Sequence, residues 1–239
     1  MKLIRLCILV LLFCVSVQVG AQNIYLVSVG VADYPGTKND LHLPAQDAQA
    51  MYELYKKNTN ATSILLTDSK AKRSNIISES KKLFAKAKQN DIVVLFFSGH
   101  GYKGGFVAYD GFLKYDDIRQ LFSGCKARNK MIFADACFSG DMRDNSGGGF
   151  SDTKNNIMLF LSSRDNEVSI ENRQMKNGFF AACLLRSLKG GADTNKDRII
   201  TAKELFLAVS SGVKRLSNNK QHPVMWGNFK DTMPVMIWK

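Results

Sequence analysis

Cysteine is scarce in this chain and unevenly spread: of five, two fall within the first 21 residues, leaving Cys125, Cys137 and Cys183. An odd, sparse set excludes a disulfide framework. Zinc is disfavoured as well, because Cys137 has no second cysteine or histidine at ligand spacing. The Gly-rich runs "GYKGGF" and "SGGGF" lack the Gly-Lys-Ser/Thr ending of a phosphate loop, which argues against nucleotide binding. Lys and Arg outnumber Asp and Glu by 33 to 21, for a formal charge of +12. The basic stretches "DSKAKRSN" and "SKKLFAKAKQN" nevertheless lack the interleaved aromatics of a stacking platform, so they read as solvated helix faces and no nucleic-acid partner is expected.

Long apolar runs are also missing. The first residues, "MKLIRLCILVLLFCVSVQVGAQ", carry Lys2 and Arg5, an uncharged apolar stretch from Leu6 to Val19, and small residues at Gly20 and Ala21. The stretch falls short of the roughly 18 to 20 residues a spanning helix needs and has the layout of a secretory signal peptide over residues 1–21. A lipoprotein site at Cys14 fits poorly, since bulky Phe13 precedes it. The expectation is export to the periplasm or beyond, with no stable membrane span once the signal is removed, and one domain over residues 22–239. Neither a composition break nor a fixed-period repeat divides that stretch.

What is present is ordinary globular composition, 45% hydrophobic and 23% charged. Continuous apolar runs of strand length ("NIYLVSVGVADY", "TSILLT", "DIVVLFFSGHG", "KMIFADAC", "NIMLFLSS") alternate with helical spacing in "PAQDAQAMYELYKK", "SNIISESKKLFAKAKQ", "GFFAACLLRSL" and "TAKELFLAVSSGVKRL". Alternation of this kind predicts an α/β three-layer sandwich with a mostly parallel central sheet of about six strands, covered on both faces. One stretch, "SGDMRDNSGGGFSDTKNN", is rich in Gly, Ser, Asp and Asn and reads as a long exposed loop.

An exported thiol needs either burial or a use. Cys183 has the first, on the apolar face of a helix, and Cys125 reads as a turn residue. Cys137 is different. In a parallel sheet, sites gather at the carboxyl ends of strands, and two strands here end in reactive residues: "IVVLFFSGHG" in His100 and "MIFADACFSG" in Cys137. If those strands are neighbours, about 4.8 Å apart, thiol and imidazole emerge within reach of one another. Backbone N–H groups of Gly101 and Cys137 would then serve an oxyanion. His42 and His222 read as structural or solvated. On spacing alone, a catalytic pair and a coincidence of strand ends both stand. Asp135 and Asp47, on the same footing, read as a turn-capping acid and a first-turn helix carboxylate.

"FFSGHG" followed by "DACFSG" resembles the paired motifs of the caspase and metacaspase peptidases, with a caspase/haemoglobinase-type fold. Ordered similarities extend along most of the chain: "VGVADYPG", "LPAQDAQAM", "LSSRDNEVSIE", "NGFFAACLLRSL" and "QHPVMWGNF". The resemblance implies a cysteine endopeptidase in which Cys137 forms the acyl-enzyme and His100 is the general base or polarising imidazole. It implies that Asp47 and Asp135 line an S1 pocket selecting Arg or Lys at P1, on protein or peptide substrates. Ser162 and Ser163 fall on the segment that usually flanks the substrate strand. Phe138 departs from the His that many metacaspases carry after the cysteine. A non-catalytic caspase-like module that binds peptides or proteins, and a clostripain- or gingipain-like peptidase, are the alternative readings.

Two features lie outside the motifs. "DTNKDRIITAKE" sets Asp193, Asn195, Asp197, Thr201 and Glu204 at EF-hand ligand spacing, a calcium candidate. Arg198 stands where that loop requires Gly, and the stretch reads as a polar turn capping a helix that starts near Thr201. No organic cofactor is called for. Arg143 and Lys154, in the loop after Cys137, are where a basic-specific peptidase would cut itself.

Overall fold

The computed structural model describes residues 22–102, 104–136, 157–164 and 175–238. Six strands form the central sheet: β1 (Ile24–Gly30), β2 (Ala61–Thr67), β3 (Ile92–Ser98), β7 (Asn129–Asp135), β8 (Ile157–Leu161) and β10 (Val224–Trp226), in the order β10-β8-β7-β3-β1-β2. All pair in parallel except β10, which runs antiparallel to β8 at one edge. Helices α1 (Pro44–Lys56), α2 (Arg73–Phe84), α3 (Tyr115–Leu121), α4 (Phe179–Arg186) and α5 (Ala202–Leu216) cover it.

The period-2 geometry of a strand explains why the apolar runs are unbroken. Along β1 and β3, Val27, Val29, Val93, Leu95 and Phe97 face one core with α2 and α3, supplied by Ile76, Leu83, Phe84, Ile118 and Leu121. Their neighbours Ile24, Leu26, Ile92, Val94 and Phe96 face a second core, filled by Met51 and Tyr55 of α1, Phe180 and Leu184 of α4, and Leu205 and Val209 of α5. With apolar partners on both faces, every residue of β3 is buried. This is the three-layer α/β sandwich the alternation predicts.

Several elements differ from the sequence reading. Helix α2 stops at Phe84 rather than running to Gln89. Asp91 takes over there, accepting from Lys88 N (2.7 Å) and from Asn23 N (2.9 Å), and turns the chain into β3. The run "DIVVLFFSGHG" is not one strand. It breaks after Ser98 and resumes as β4 (Gly101–Tyr102), which joins β5 (Gly105–Ala108) and β6 (Gly111–Lys114) in a small antiparallel sheet. Phe97 of β3 stacks on Phe106 of β5 (centroids 4.4 Å apart, planes 10° apart) and ties the small sheet to the large one, a contact worth about 1 kcal/mol beyond its burial. A further pair, β9 (Ile199–Thr201) and β11 (Pro234–Ile237), brackets the start of α5. There Thr201 and Glu204 form the expected cap: Glu204 N donates to Thr201 Oγ1 (3.3 Å) and Thr201 N to Glu204 Oε2 (3.0 Å). No helix among the described residues is long and apolar enough to cross a membrane.

Candidate active site

The sheet register brings the two motif-bearing strands side by side. β3 pairs with β7 so that Ser98 lies opposite Asp135, and Gly99 N donates across the gap to Asp135 O (3.2 Å). Gly99 adopts φ +154°, and a Cβ there would sit 2.9 Å from the Tyr34 hydroxyl, so this break in the strand needs glycine on both counts. His100 follows it. The chain neighbours of His100 are thus held by β3 behind and β4 ahead, with Gly101 opening β4 opposite Phe106.

Three groups orient His100. Its N–H donates to the Tyr34 hydroxyl (3.0 Å), which donates onward to Val107 O (3.2 Å), while Val107 N donates to His100 O (2.9 Å). The two rings lie 5.0 Å apart at 41°. Burial pushes Tyr34 up to about 12, so its hydroxyl keeps the proton it donates. The imidazole Nε2 lies 2.8 Å from Asn39 O. A carbonyl can only accept, so in the neutral ring Nε2 carries the hydrogen and Nδ1 carries the lone pair. That is the tautomer of a general base steered by a third group. Neither partner was visible from the sequence: Tyr34 is one aromatic among many, and Asn39 contributes main chain, which no residue type announces.

Asp47 and Asp135 come together beyond the strand ends. Asp47 lies in the first turn of α1, and Gly30 at the end of β1 lets that turn close in: a Cβ at Gly30 would overlap Pro44 O and stand 2.7 Å from Ala48 Cβ. Asp47 does not cap its own helix. Its Oδ1 accepts from Asn177 Nδ2 (2.8 Å) and Gly178 N (3.2 Å), and its Oδ2 accepts from Ser98 Oγ (3.1 Å). Asp135 Oδ2 accepts from Ala181 N (3.3 Å), in the first turn of α4. The positive end of α4 therefore meets two carboxylates, which are only 2% and 8% exposed. Burial, and after it the Asp135 charge, push Asp47 up to about 8 despite its three hydrogen bonds. Ser98, Asn177 and Gly178 are site residues that the sequence reading missed.

The other predicted residues fall in different places. Cys137, Arg143 and Lys154 lie outside the described residues, as does the 1–21 segment. Ser162 and Ser163, just past β8, are fully buried at the same sheet edge as Asp135: Ser162 N donates to Ala134 O (2.9 Å), and Ser162 O accepts from Gln221 Nε2 (2.9 Å). In "DTNKDRIITAKE", Asp193, Asn195 and Asp197 accept from the loop's own amides at Asp197, Arg198 and Ile199, and Glu204 binds Thr194 and Thr201. Arg198 takes φ +67°, the conformation for which an EF-hand uses Gly. Among the described residues no three His, Cys, Asp or Glu side chains group as metal ligands. Cys183 is buried on α4, and Cys125 is buried just past the turn that follows α3; both are free thiols. His42 is exposed, and His222, two residues before β10, lies 3.1 Å from Asn219 Oδ1.

A solved structure, that of a protein from Geobacter sulfurreducens, is similar over 91% of this chain and 100% of its own, at 19% identity and a TM-score of 0.67, a likeness of fold. No curated protein matches the chain. The family model of the caspase domain matches residues 26–233, from the third position of β1 to the turn before β11. The chain therefore belongs to the caspase-domain family of cysteine peptidases.

Proposed function

We propose that the chain is an exported cysteine endopeptidase that cleaves after Arg or Lys. The observation that carries this reading is the buried Asp47 and Asp135 pair beside an oriented His100. Two carboxylates out of water offer a cationic side chain charge-assisted hydrogen bonds that a neutral or acidic one cannot make. The register supports the dyad: Ser98 and Asp135, the last residues of adjacent strands, are partners, and His100 and Cys137 each follow two residues later in the sequence.

In the proposed reaction the Cys137 thiol gives its proton to His100 Nδ1, and the thiolate attacks the carbonyl carbon of the P1 residue. Backbone N–H groups of Gly101 and Cys137 receive the oxyanion. As the C–N bond breaks, the imidazolium returns the proton to the leaving amine, which leaves a thioester. Water attacks that thioester with His100 as base, releasing the acid and the thiol. The Asn39 carbonyl stabilises the imidazolium while it exists, through Nε2–H. No organic cofactor enters these steps. Arg143 and Lys154 make the loop after Cys137 a substrate for the same specificity, and residues 1–21 direct export.

The test uses matched fluorogenic peptides with Arg, Lys, Asp or Asn at P1, with and without calcium, beside Cys137→Ala and His100→Ala. Turnover of Arg and Lys peptides that both variants abolish is expected. Preference for Asp would overturn the pocket, and peptide binding without turnover of any substrate would point to a binding module. Full activity in an uncut chain lacking Arg143 and Lys154 would remove self-processing.

A further inference from the structure

Gly178 precedes α4 with φ −56° and ψ 155°, an extended conformation open to any residue. Backbone conformation gives no reason for glycine there. Space does: a Cβ at this position would lie 2.9 Å from Asp135 Oδ2 and 3.4 Å from Asp47 Oδ2. Neither oxygen belongs to a side chain free to swing aside. Asp135 Oδ2 accepts from Ala181 N, and Asp47 is held at both oxygens by Asn177, Gly178 and Ser98. Position 178 is thus the point where the main chain meets the inner oxygens of both carboxylates.

The lone-pair count says what that opening suits. A carboxylate accepts about four hydrogen bonds, two at each oxygen. Among the described residues Asp47 Oδ1 takes two, from Asn177 Nδ2 and Gly178 N, and is filled. Among the described residues its Oδ2 takes one, from Ser98 Oγ, and the point where a Cβ of residue 178 would stand lies 3.4 Å from it and 2.9 Å from Asp135 Oδ2, so a donor placed there reaches both. Asn177 therefore does more than occupy a turn: its amide, with the adjacent N–H, pins the outer oxygen so that the inner one presents to a donor.

We infer that Asn177 and Gly178 determine P1 specificity, Gly178 by leaving room between the Asp47 and Asp135 oxygens for a cationic side chain and Asn177 by aiming Asp47 Oδ2 into that room. The inference rests on the reading that this pair receives the P1 cation. Gly178 acts by absence, since a methyl group would stand where a guanidinium or ammonium hydrogen must reach. Asn177 is a positioning residue, and its effect falls more on the planar, geometry-demanding guanidinium than on the rotatable ammonium.

The experiment compares wild type, Gly178→Ala and Asn177→Ala in the full chain on matched peptides with Arg, Lys or the neutral isostere citrulline at P1. Gly178→Ala should raise KM at least about tenfold for both cationic peptides, with kcat much less affected and citrulline turnover unchanged, the size of one lost charge-assisted hydrogen bond. Asn177→Ala should lower the Arg-to-Lys ratio of kcat/KM about threefold to tenfold, while its urea unfolding midpoint stays near wild type. A folded Gly178→Ala enzyme with wild-type KM for Arg overturns the inference, and so does an equal loss on citrulline, which marks a structural disturbance. If Gly178→Ala does not fold, an unchanged Arg-to-Lys ratio in Asn177→Ala overturns it alone. Failure of the underlying reading looks different: wild type itself would not distinguish Arg from citrulline.

Discussion

Replacing Asp47 by Asn should stabilise the protein while disabling it, and the size of the gain depends on pH in a calculable way. Burial and the Asp135 charge push Asp47 up to about 8, against about 3.9 in an unfolded chain. Between those values the folded chain holds a proton that the unfolded chain has released. Stability is therefore fully present below about 4, falls as pH rises, and levels off above about 8. Asn cannot ionise and lacks this slope. Its amide oxygen can still accept from Asn177 and Gly178, and its NH2 turns toward Asp135 in place of Oδ2. The stability difference between variant and wild type should grow by about 1.4 kcal/mol per pH unit, or about 3 kcal/mol from pH 5 to 7.5. Titrating groups other than Asp135, whose titration is linked to that of Asp47, cancel in that difference. Urea unfolding of both proteins, each carrying Cys137→Ala to remove the proposed nucleophile, measures it. A difference that stays flat with pH, or grows toward acid, would refute the reasoning, because it would mean that the α4 N-terminus keeps Asp47 ionised. On the active background the same substitution should lower kcat/KM for Arg peptides at least about hundredfold, the cost of removing one partner of a buried charge pair.

Three further substitutions separate positioning from packing. Tyr34→Phe removes the acceptor for His100 N–H and the donor to Val107 O, so kcat should fall about fivefold at unchanged KM, consistent with about 1 kcal/mol for one hydrogen bond; a larger change in KM than in kcat would argue against an orienting role. Gly30→Ala drives a methyl group into Pro44 O and Ala48 Cβ, which should cost about 1 to 3 kcal/mol in urea unfolding and raise KM for Arg peptides as the first turn of α1 lifts Asp47. Thr201→Ala deletes the cap of α5 and should cost about 1 kcal/mol with kinetics untouched, since that helix end lies apart from the strand ends.

The contrast among these residues shows where the sequence is legible. Strands β1, β3, β7 and β8 could be read because each is buried on both faces, which leaves unbroken apolar runs, and α1, α4 and α5 because each buries one stripe. The small sheet of β4, β5 and β6 was not legible: its strands are two to four residues long, too short for any period to register. Helix α3, seven residues, failed for the same reason. The end of α2 was misread because Lys86 and Lys88 continue a helical pattern that Asp91 overrides from outside it, through a hydrogen bond to Lys88 N.

At the site the division follows a different line, between side chains that carry chemistry and groups that aim them. His100, Asp47 and Asp135 are titratable, sit at strand or helix ends, and stand out by type. The groups that orient them do not. Asn39 acts through its carbonyl, 61 residues from His100, and Ala181 and Gly178 act through amides 46 and 131 residues from their carboxylates. Any residue except proline offers such an amide, so no motif encodes it; only the packing of α4 over the strand ends does. Gly178 goes one step further, because what it contributes is the room left by a missing side chain. Its glycine is uninformative until the backbone angles show that conformation does not require it. On the proposed reading, P1 specificity in this chain depends on the α4 N-terminus as much as on the two aspartates. A relative that kept both acids but placed a larger residue at the position of Gly178 should lose its preference for cationic P1 residues while keeping the acyl-transfer machinery intact.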